Sequence, residues 1–292
     1  MSKPDPTPIR VHEDRAMFLE ALNFTAAHTG FSAQLIEKDY FCTVLLQYLA
    51  TTGVLVFKGG TCMAKVHGEF YRLSEDLDFA IPMPCDAART ERRRQTERLK
   101  KTVADVATKL EGFAVVEPLT GANVSTQYVS VVGYDSLLSG QSEHIKIEIG
   151  LREPLLTPVF DGAARTALLD PVSGRPMVPP LALPCISRME AFAEKFRAAL
   201  SRREVAIRDF YDIDYALRRL DLQPQDPALV ELVRLKLAMP GNEPADVSEA
   251  RLAALRRQLD AQLKPVLRDR DFAEFDLERA FRTVTQMADK IG

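Results

Sequence analysis

The 292-residue sequence has 46% apolar residues, 27% charged residues and a net charge of −3. These values are ordinary for a globular protein and exclude a polycation, so any nucleic-acid contact must come from a local basic patch. No apolar run approaches the roughly 18 residues of a membrane span, and the N-terminal stretch MSKPDPTPIRVHED lacks the apolar core of a signal peptide. We therefore expect no membrane contact and a cytoplasmic protein. The cysteines are widely separated without zinc-type spacing, and we expect them to be reduced and mostly buried: Cys42, Cys62, Cys85 and Cys185.

Two helices are predicted ahead of the first strand, over residues 13–29 and 33–50. Ser32 is a suitable N-cap for the second helix, whose apolar residues recur at roughly helical spacing. The charged run at residues 37–39, Glu-Lys-Asp, interrupts that apolar stripe. The pattern alone indicates a solvated turn of an amphipathic helix.

The most informative stretch joins a glycine turn to a pair of aspartates. An apolar run over residues 53–57 predicts a buried strand. Gly59 and Gly60 predict a turn after it, and the residues that follow predict a short helix. Asp76 and Asp78 then lie on a second predicted strand, where side chains two apart point to the same face. A glycine turn before a helix suits a phosphate, and paired carboxylates suit Mg²⁺. Each motif alone is common, and only their order along the chain predicts metal-dependent chemistry on a nucleotide.

A basic segment follows over residues 86–111 and is predicted to be helical. Its cations are interspersed with Glu91 and Glu97, which is typical of a solvated helix face. The alternative is a contact with RNA phosphates, because clustered cations release counterions on binding. Both interpretations concern the same side chains: Arg89, Arg92, Arg93, Arg94, Arg98, Lys100 and Lys101.

Three further strands are predicted over residues 113–117, 127–134 and 143–151. In the last of these, isoleucines alternate with a polar face that carries Lys146 and Glu148. From the pattern, Glu148 is a solvent-facing residue near Lys146.

The second part of the sequence changes character after a Pro-rich, irregular stretch over residues 154–184 with short strands. A capping box at residues 187–190 begins a run of helices that reaches the end of the chain. We therefore expect an α/β (α+β) core with a mixed sheet over residues 1–184 and a helical domain over residues 185–292. The helices are predicted near residues 188–202, 205–220, 229–237, 248–263 and 272–290.

Charged side chains on two of these helices have alternative explanations. Lys195 lies between phenylalanines, where a lysine can extend its stem over the core and keep its ammonium in water. Asp209 and Asp212 are three residues apart and so share a helical face. They are either ion-pair partners for Arg208 or Lys195, or an acid–base set.

The stretch FKGGTCMAKVHGEFYRLSEDLDFAI resembles the signature of the AbiEii/MenT nucleotidyltransferases, toxins of bacterial toxin–antitoxin and phage-defence systems in the DNA polymerase β-like superfamily. The Gly-Gly-Thr turn departs from the Gly-Ser of the wider superfamily and matches the toxin branch. Three further stretches extend the resemblance to residues 35–217: LIEKDYFCTVLL, HIKIEIGLRE and MEAFAEKFRAALSRREVAIRDFYDIDYAL.

The resemblance implies a polymerase β-like nucleotidyltransferase core and assigns roles to the residues above. It places the charged run at residues 37–39 near the active site, where it would help hold the Gly-Gly strand. The implied ligands of Mg²⁺ (or Mn²⁺) are Asp76, Asp78 and Glu148. The implied nucleotide-binding residues are Lys58, Gly59, Gly60, Thr61, Ser74 and Lys195. The catalytic set would be Asp76, Asp78, Glu148, Lys195 and Asp209, with Asp209 favoured over Asp212 and the set lining a cleft between the two halves.

The resemblance also implies partners: an NTP, an RNA acceptor, with the tRNA 3′ end as the best candidate, and a cognate antitoxin. A protein side chain or a small molecule such as an aminoglycoside is an alternative acceptor. A second class of function is a non-catalytic nucleotide- or protein-binding module that docks a cognate partner.

Overall fold

The computed structural model describes residues 8–292, which fall into two compact units. The first unit comprises residues 8–66, Leu73–Pro154 and Asp161–Cys185. The second comprises Ile186–Gly292 together with two short segments from the first part of the sequence, His67–Arg72 and Leu155–Phe160. The sequence analysis assigned both short segments to the core.

The helices of the first unit precede and interrupt its strands. Asp14 and Ser32 cap the first two helices by accepting hydrogen bonds from Met17 N and Leu35 N. Gly30, in the left-handed region at φ 83°, ends the first helix. The helices are α1 (Arg15–Thr29), α2 (Ala33–Ala50), α3 (Gly59–Cys62), α4 (Arg89–Ala104) and α5 (Val106–Lys109), and a π-helical turn (Met63–His67) continues α3.

Seven strands form one mixed sheet in the order β3-β4-β5-β2-β1-β7-β6. The strands β3, β4 and β5 run antiparallel, β5 and β2 parallel, β2 and β1 antiparallel, and β1 and β7 parallel. Their bounds are β1 (Val56–Lys58), β2 (Leu77–Ala80), β3 (Phe113–Ala122), β4 (Gln127–Asp135), β5 (Ser142–Gly150), β6 (Phe160–Ala164) and β7 (Leu181–Cys185).

The two faces of this sheet differ in character. Ile145, Ile147 and Ile149 of β5 are fully buried, and on the same face Tyr134 of β4 stacks on Phe41 of α2 with ring centroids 4.2 Å apart. The residues between the isoleucines are half-buried or exposed. Because successive side chains alternate faces, the helices cover one face and the polar residues lie on the other.

The second unit is built from helices packed around an apolar core. Helix α6 packs against α7 and α8, and α11 packs against the same three helices. Ser187 caps α6 by accepting from Glu190 N, as the sequence predicts. The helices of the second unit are α6 (Arg188–Ser201), α7 (Ile207–Arg219), α8 (Pro227–Leu237), α9 (Glu249–Gln258), α10 (Asp269–Glu274) and α11 (Leu277–Ile291).

The mixed sheet followed by C-terminal helices confirms the predicted fold class. Within residues 8–292, no helix is both long enough and apolar enough to cross a membrane.

Candidate active site

A row of polar side chains crosses three strands of the sheet on its polar face. Lys58 of β1 pairs with Asp78 of β2, and Asp78 pairs with Glu148 of β5. Paired residues on neighbouring strands share a face, so these three side chains are neighbours. Asp76 is half-buried one residue before β2, at the same two-residue spacing that the sequence predicts. The register thus brings Glu148, distant in sequence, beside the aspartate pair.

The glycine turn lies against the carboxylate of Asp78. Gly59 has φ 74°, in the left-handed region, and a Cβ built on it would overlap the Asp78 carboxylate and lie 2.6 Å from the Asp78 Cβ. Both observations exclude a side chain at this position. The Gly-Gly turn is therefore a close approach of the backbone to the Asp78 carboxylate.

The hydroxyl of Thr61 ties this turn to the segment that carries the aspartates. Thr61 is buried, and its Oγ1 donates a hydrogen bond to the carbonyl oxygen of Asp76. A hydroxyl has one proton, so in this arrangement the Thr61 side chain does not donate to a phosphate. A phosphate contact at this turn must come from main-chain N–H groups, of which the first turn of a helix leaves several unpaired.

Both carboxylate oxygens of Glu148 accept hydrogen bonds from neighbouring strand residues. Gln127 Nε2 donates to Oε1 at 2.5 Å, and Lys146 Nζ donates to Oε2 at 2.5 Å. The hydrogen bond to Glu148 raises the pKa of Lys146, partial burial lowers it, and the charges of Glu148, Asp76 and Asp78 raise it further. The sequence placed Lys146 beside Glu148 but gave no role to Gln127, which lies opposite Gly150 and diagonal to Glu148.

The carboxylates have the chemistry of a Mg²⁺ site. Among residues 8–292, no three His, Cys, Asp or Glu side chains converge as a metal site. The donor set is nevertheless hard anionic oxygen on one face of the sheet, and this set fits Mg²⁺ or Mn²⁺.

The charged run of α2 is buried rather than solvated, which corrects the interpretation from periodicity alone. Glu37 and Asp39 are 0% and 2% exposed. Glu37 accepts hydrogen bonds from Ser136 Oγ and from the main chain after it. Lys38 Nζ is 3.2 Å from Glu75 Oε1, one residue before Asp76. The apolar stripe continues through this run because buried charges can replace apolar residues when each is paired.

Lys65 on the π-helical turn is a fully buried lysine that the sequence analysis missed. Its Nζ donates to Asp39 Oδ1 at 2.6 Å, to Asp39 O at 3.0 Å and to Thr43 Oγ1 at 2.7 Å. The other oxygen of Asp39 accepts from Ala167 N at 2.8 Å. This pair joins α2 to the helix that follows the Gly-Gly turn, so the charged run does help to hold the turn in place.

In the second unit, Lys195 is held between two carboxylates. Its Nζ is 2.8 Å from Asp209 Oδ1 and 2.8 Å from Asp212 Oδ2. Burial alone would lower the pKa of Lys195, but the charges of Asp209 and Asp212 outweigh it and the pKa is raised. The ammonium is ion-paired, so the solvated-lysine interpretation is wrong.

Asp212 is the centre of this cluster. It accepts from Arg72 Nε at 2.6 Å, from Arg72 Nη2 at 2.8 Å and from Tyr71 Oη at 2.8 Å, in addition to Lys195. Burial would raise the pKa of Asp212, but Arg72 and Lys195 lower it below its usual range. Asp209 also faces Arg202 Nη1, at 3.4 Å. Arg72 was missed because a single arginine beside the Ser74–Asp78 motif carries no pattern of its own.

Ser74 and the basic helix complete the set of predicted contacts. Ser74 is half-buried two residues before Asp76. Helix α4 packs against β3, and Lys100 lies 5.6 Å from the ring centroid of Tyr128. Tyr128 and Val129 are successive residues of β4, so their side chains point to opposite faces of the sheet. Val129 pairs with Glu148 and shares its face. Helix α4, which contacts Tyr128, therefore lies on the face opposite the polar row. Arg92 is buried and donates to Cys85 O, whereas Arg93 and Arg94 are exposed.

One of the solved structures similar to this chain supports the fold. No curated protein sequence matches the chain. JHP933 from Helicobacter pylori is similar in structure, with a TM-score of 0.52 and 17% identity over 89% of this chain and 93% of that one. MenT4, a nucleotidyltransferase toxin from Mycobacterium tuberculosis H37Rv, gives a TM-score of 0.45 and 17% identity over 97% of this chain and 98% of that one.

At such identity, the likeness to JHP933 shows the fold alone. The sequence carries the family assignment, because the model of the family described as "Nucleotidyl transferase AbiEii toxin, Type IV TA system" matches residues 48–286. That span includes the glycine turn, the aspartate pair, Glu148 and the Lys195 cluster. The chain therefore belongs to the AbiEii family of nucleotidyltransferase toxins of type IV toxin–antitoxin systems.

Proposed function

We propose that this nucleotidyltransferase transfers a nucleoside monophosphate from an NTP to a hydroxyl of an RNA acceptor, and that the acceptor is the tRNA 3′ end. The observation that carries the proposal is the row of Lys58, Asp78 and Glu148 on one sheet face beside the Gly59 turn. Membership in a type IV toxin–antitoxin family adds a cognate antitoxin to the NTP as a partner. The RNA acceptor is supported by the sequence resemblance.

The chemistry asks the protein to position groups and to stabilise charge. The acceptor hydroxyl oxygen attacks the α-phosphorus, the bond from that phosphorus to the bridging oxygen breaks, and pyrophosphate leaves. The hydroxyl proton is lost in the same transfer. Most of the rate enhancement in such reactions comes from alignment and from charges placed where negative charge develops.

The residues of the polar row divide these tasks. Asp76, Asp78 and Glu148 would hold Mg²⁺ or Mn²⁺, which when bound neutralises charge on the phosphate oxygens. Glu148 would also help to activate the acceptor hydroxyl. The main chain of Gly59, Gly60 and Thr61 would cradle the triphosphate, and Lys58 lies next to Asp78 in the same row. Ser74 is a further hydrogen-bond donor two residues before Asp76.

The roles of Lys195 and Asp209 stay predictions. The resemblance assigns Lys195 to the triphosphate, where a compact ammonium is a suitable counter-charge. Within the second unit that ammonium is placed by Asp209 and Asp212. A lysine already oriented by two carboxylates loses less side-chain entropy when it binds a phosphate, which favours the assigned role.

The direct test is incubation of the protein with each labelled NTP in turn, Mg²⁺ and total tRNA, followed by a denaturing gel. We expect label at the size of tRNA with at least one nucleotide. Label on a protein band would instead identify a protein acceptor. Absence of label on every macromolecule, with no pyrophosphate released, would refute nucleotidyl transfer to RNA.

The metal requirement is tested separately. Asp76→Asn and Asp78→Asn remove one charged ligand each and leave the shape of the side chain, so transfer should be abolished while the melting temperature stays near that of the wild type. EDTA should abolish wild-type transfer. Full activity in either variant would show that its carboxylate is not a metal ligand.

A further inference from the structure

Glu148 makes two side-chain contacts that have no part in the roles proposed above. Its two carboxylate oxygens accept from Gln127 and from Lys146, each at 2.5 Å. We refer to these three residues as the Glu148 network. Each carboxylate oxygen has two lone pairs, so the hydrogen bond from Gln127 is compatible with metal ligation. The ammonium of Lys146, in contrast, competes with a divalent cation for the negative charge of Glu148.

The geometry of strand β5 places Lys146 beside Glu148. Lys146 precedes Glu148 by two residues on β5, so both side chains are on the same face. Lys146 pairs with Val131 and Glu148 with Val129, and neither valine offers a competing polar group. The row therefore holds an ammonium next to the carboxylate that the proposed chemistry needs for a divalent cation.

We propose that Lys146 is a built-in counter-cation of the active site, which occupies Glu148 in the metal-free protein and is displaced when a divalent cation binds. Gln127 holds the other oxygen of Glu148 and fixes the carboxylate for this exchange. The inference rests on the proposed function, because it takes Glu148 as a metal ligand. It makes Lys146 a positioning residue that sets the metal concentration at which the site fills.

The size of the effect follows from the exposure of the pair. The side chains of Lys146 and Glu148 are 46% and 31% exposed. Ion pairs of this exposure are generally worth up to about 1 kcal/mol, which corresponds to a factor of about five in an equilibrium constant. Removing the ammonium should therefore tighten divalent-cation binding by about two- to fivefold.

The experiment measures Mn²⁺ binding to the full-length protein by the electron paramagnetic resonance signal of the free ion, without NTP or RNA. Lys146→Met should lower the Mn²⁺ dissociation constant by about two- to fivefold, because it removes the charge that competes for Glu148. Lys146→Arg keeps the charge and should bind like the wild type. Lys101→Met is the matched control, since it removes the same charge from an exposed position on α4, the helix on the opposite face.

The outcomes separate this inference from the proposed function. Tighter Mn²⁺ binding in Lys146→Met alone, with an unchanged melting temperature, supports the counter-cation. Saturable Mn²⁺ binding in the wild type that is lost in Asp78→Asn but unchanged or weakened in Lys146→Met overturns the inference and leaves the metal site intact. An equal gain in Lys101→Met also overturns it, because the effect is then one of net charge. Absence of saturable Mn²⁺ binding to the wild type without NTP overturns the counter-cation, whereas the proposed function is refuted only by the transfer assay.

Discussion

Gly59 should be the glycine whose replacement damages this protein most specifically. Gly59→Ala introduces a Cβ at φ 74° and places it 2.6 Å from the Cβ and Cγ of Asp78. The substitution therefore strains the backbone and also displaces the carboxylate that we assign to the metal. Gly53→Ala provides the matched control, because Gly53 has φ 72° and nothing lies within 4 Å of an added Cβ.

The structure allows the two contributions to be separated. A non-glycine residue in the left-handed region costs about 1–2 kcal/mol, and both variants share this cost. Overpacking adds about 1–3 kcal/mol, and only Gly59→Ala incurs it. For a protein somewhat larger than 250 residues, each kcal/mol lowers the melting temperature by roughly 2–4 °C. Gly59→Ala should thus melt about 2–12 °C below Gly53→Ala.

The assay combines thermal unfolding by circular dichroism with nucleotidyl transfer under conditions where both variants are folded. Transfer should be lost in Gly59→Ala and retained in Gly53→Ala, because only the first displaces Asp78. Equal melting temperatures and equal activities in the two variants would refute the close approach of the turn to Asp78. Loss of stability without loss of transfer would show that Asp78 is not needed at its present position.

Three further predictions follow from the charged clusters. Lys195→Ala should weaken NTP use and lower the free energy of unfolding by about 3 kcal/mol, since it removes the buried counter-charge that Asp209 and Asp212 share; a stability loss with unaltered NTP use would make this lysine structural. Replacing Arg93 and Arg94 by glutamine should weaken RNA use and reduce its salt dependence without affecting the melting temperature, whereas Arg92→Gln should lower the melting temperature because Arg92 is buried on Cys85 O; equal effects on RNA use would exclude a surface contact. The folded-state pKa of Asp212 is lowered, so its contribution to stability is present above its unfolded pKa of about 3.9 and is lost as the pH falls below that value. Asp212→Asn should therefore show a smaller loss of unfolding free energy between pH 5 and pH 2 than the wild type, measured by urea titration at each pH; an identical acid slope would contradict this.

Local patterns in the sequence were sufficient to predict the helices and strands and the common direction of the two aspartates. Helices α1, α2 and α6 begin at the caps that Asp14, Ser32 and Ser187 provide, because capping involves residues only three apart. The common direction of Asp76 and Asp78 follows from the two-residue period of extended chain. The mixed sheet with C-terminal helices follows from the order of these elements, and the family from the motifs that they carry.

The tertiary structure decided which charges meet. The contact of Gln127 with Glu148 depends on the register of β4 against β5, and the approach of Asp78 to Glu148 depends on that of β2 against β5. A shift of one residue in either register would turn Gln127 or Asp78 to the other face. The pairs Lys65 with Asp39 and Arg72 with Asp212 join residues 26 and 140 positions apart, and none of them has a periodic neighbour that marks it in the sequence. Burial of these charges is favourable only when each partner is in place, and that condition is met by packing between elements rather than by any single segment.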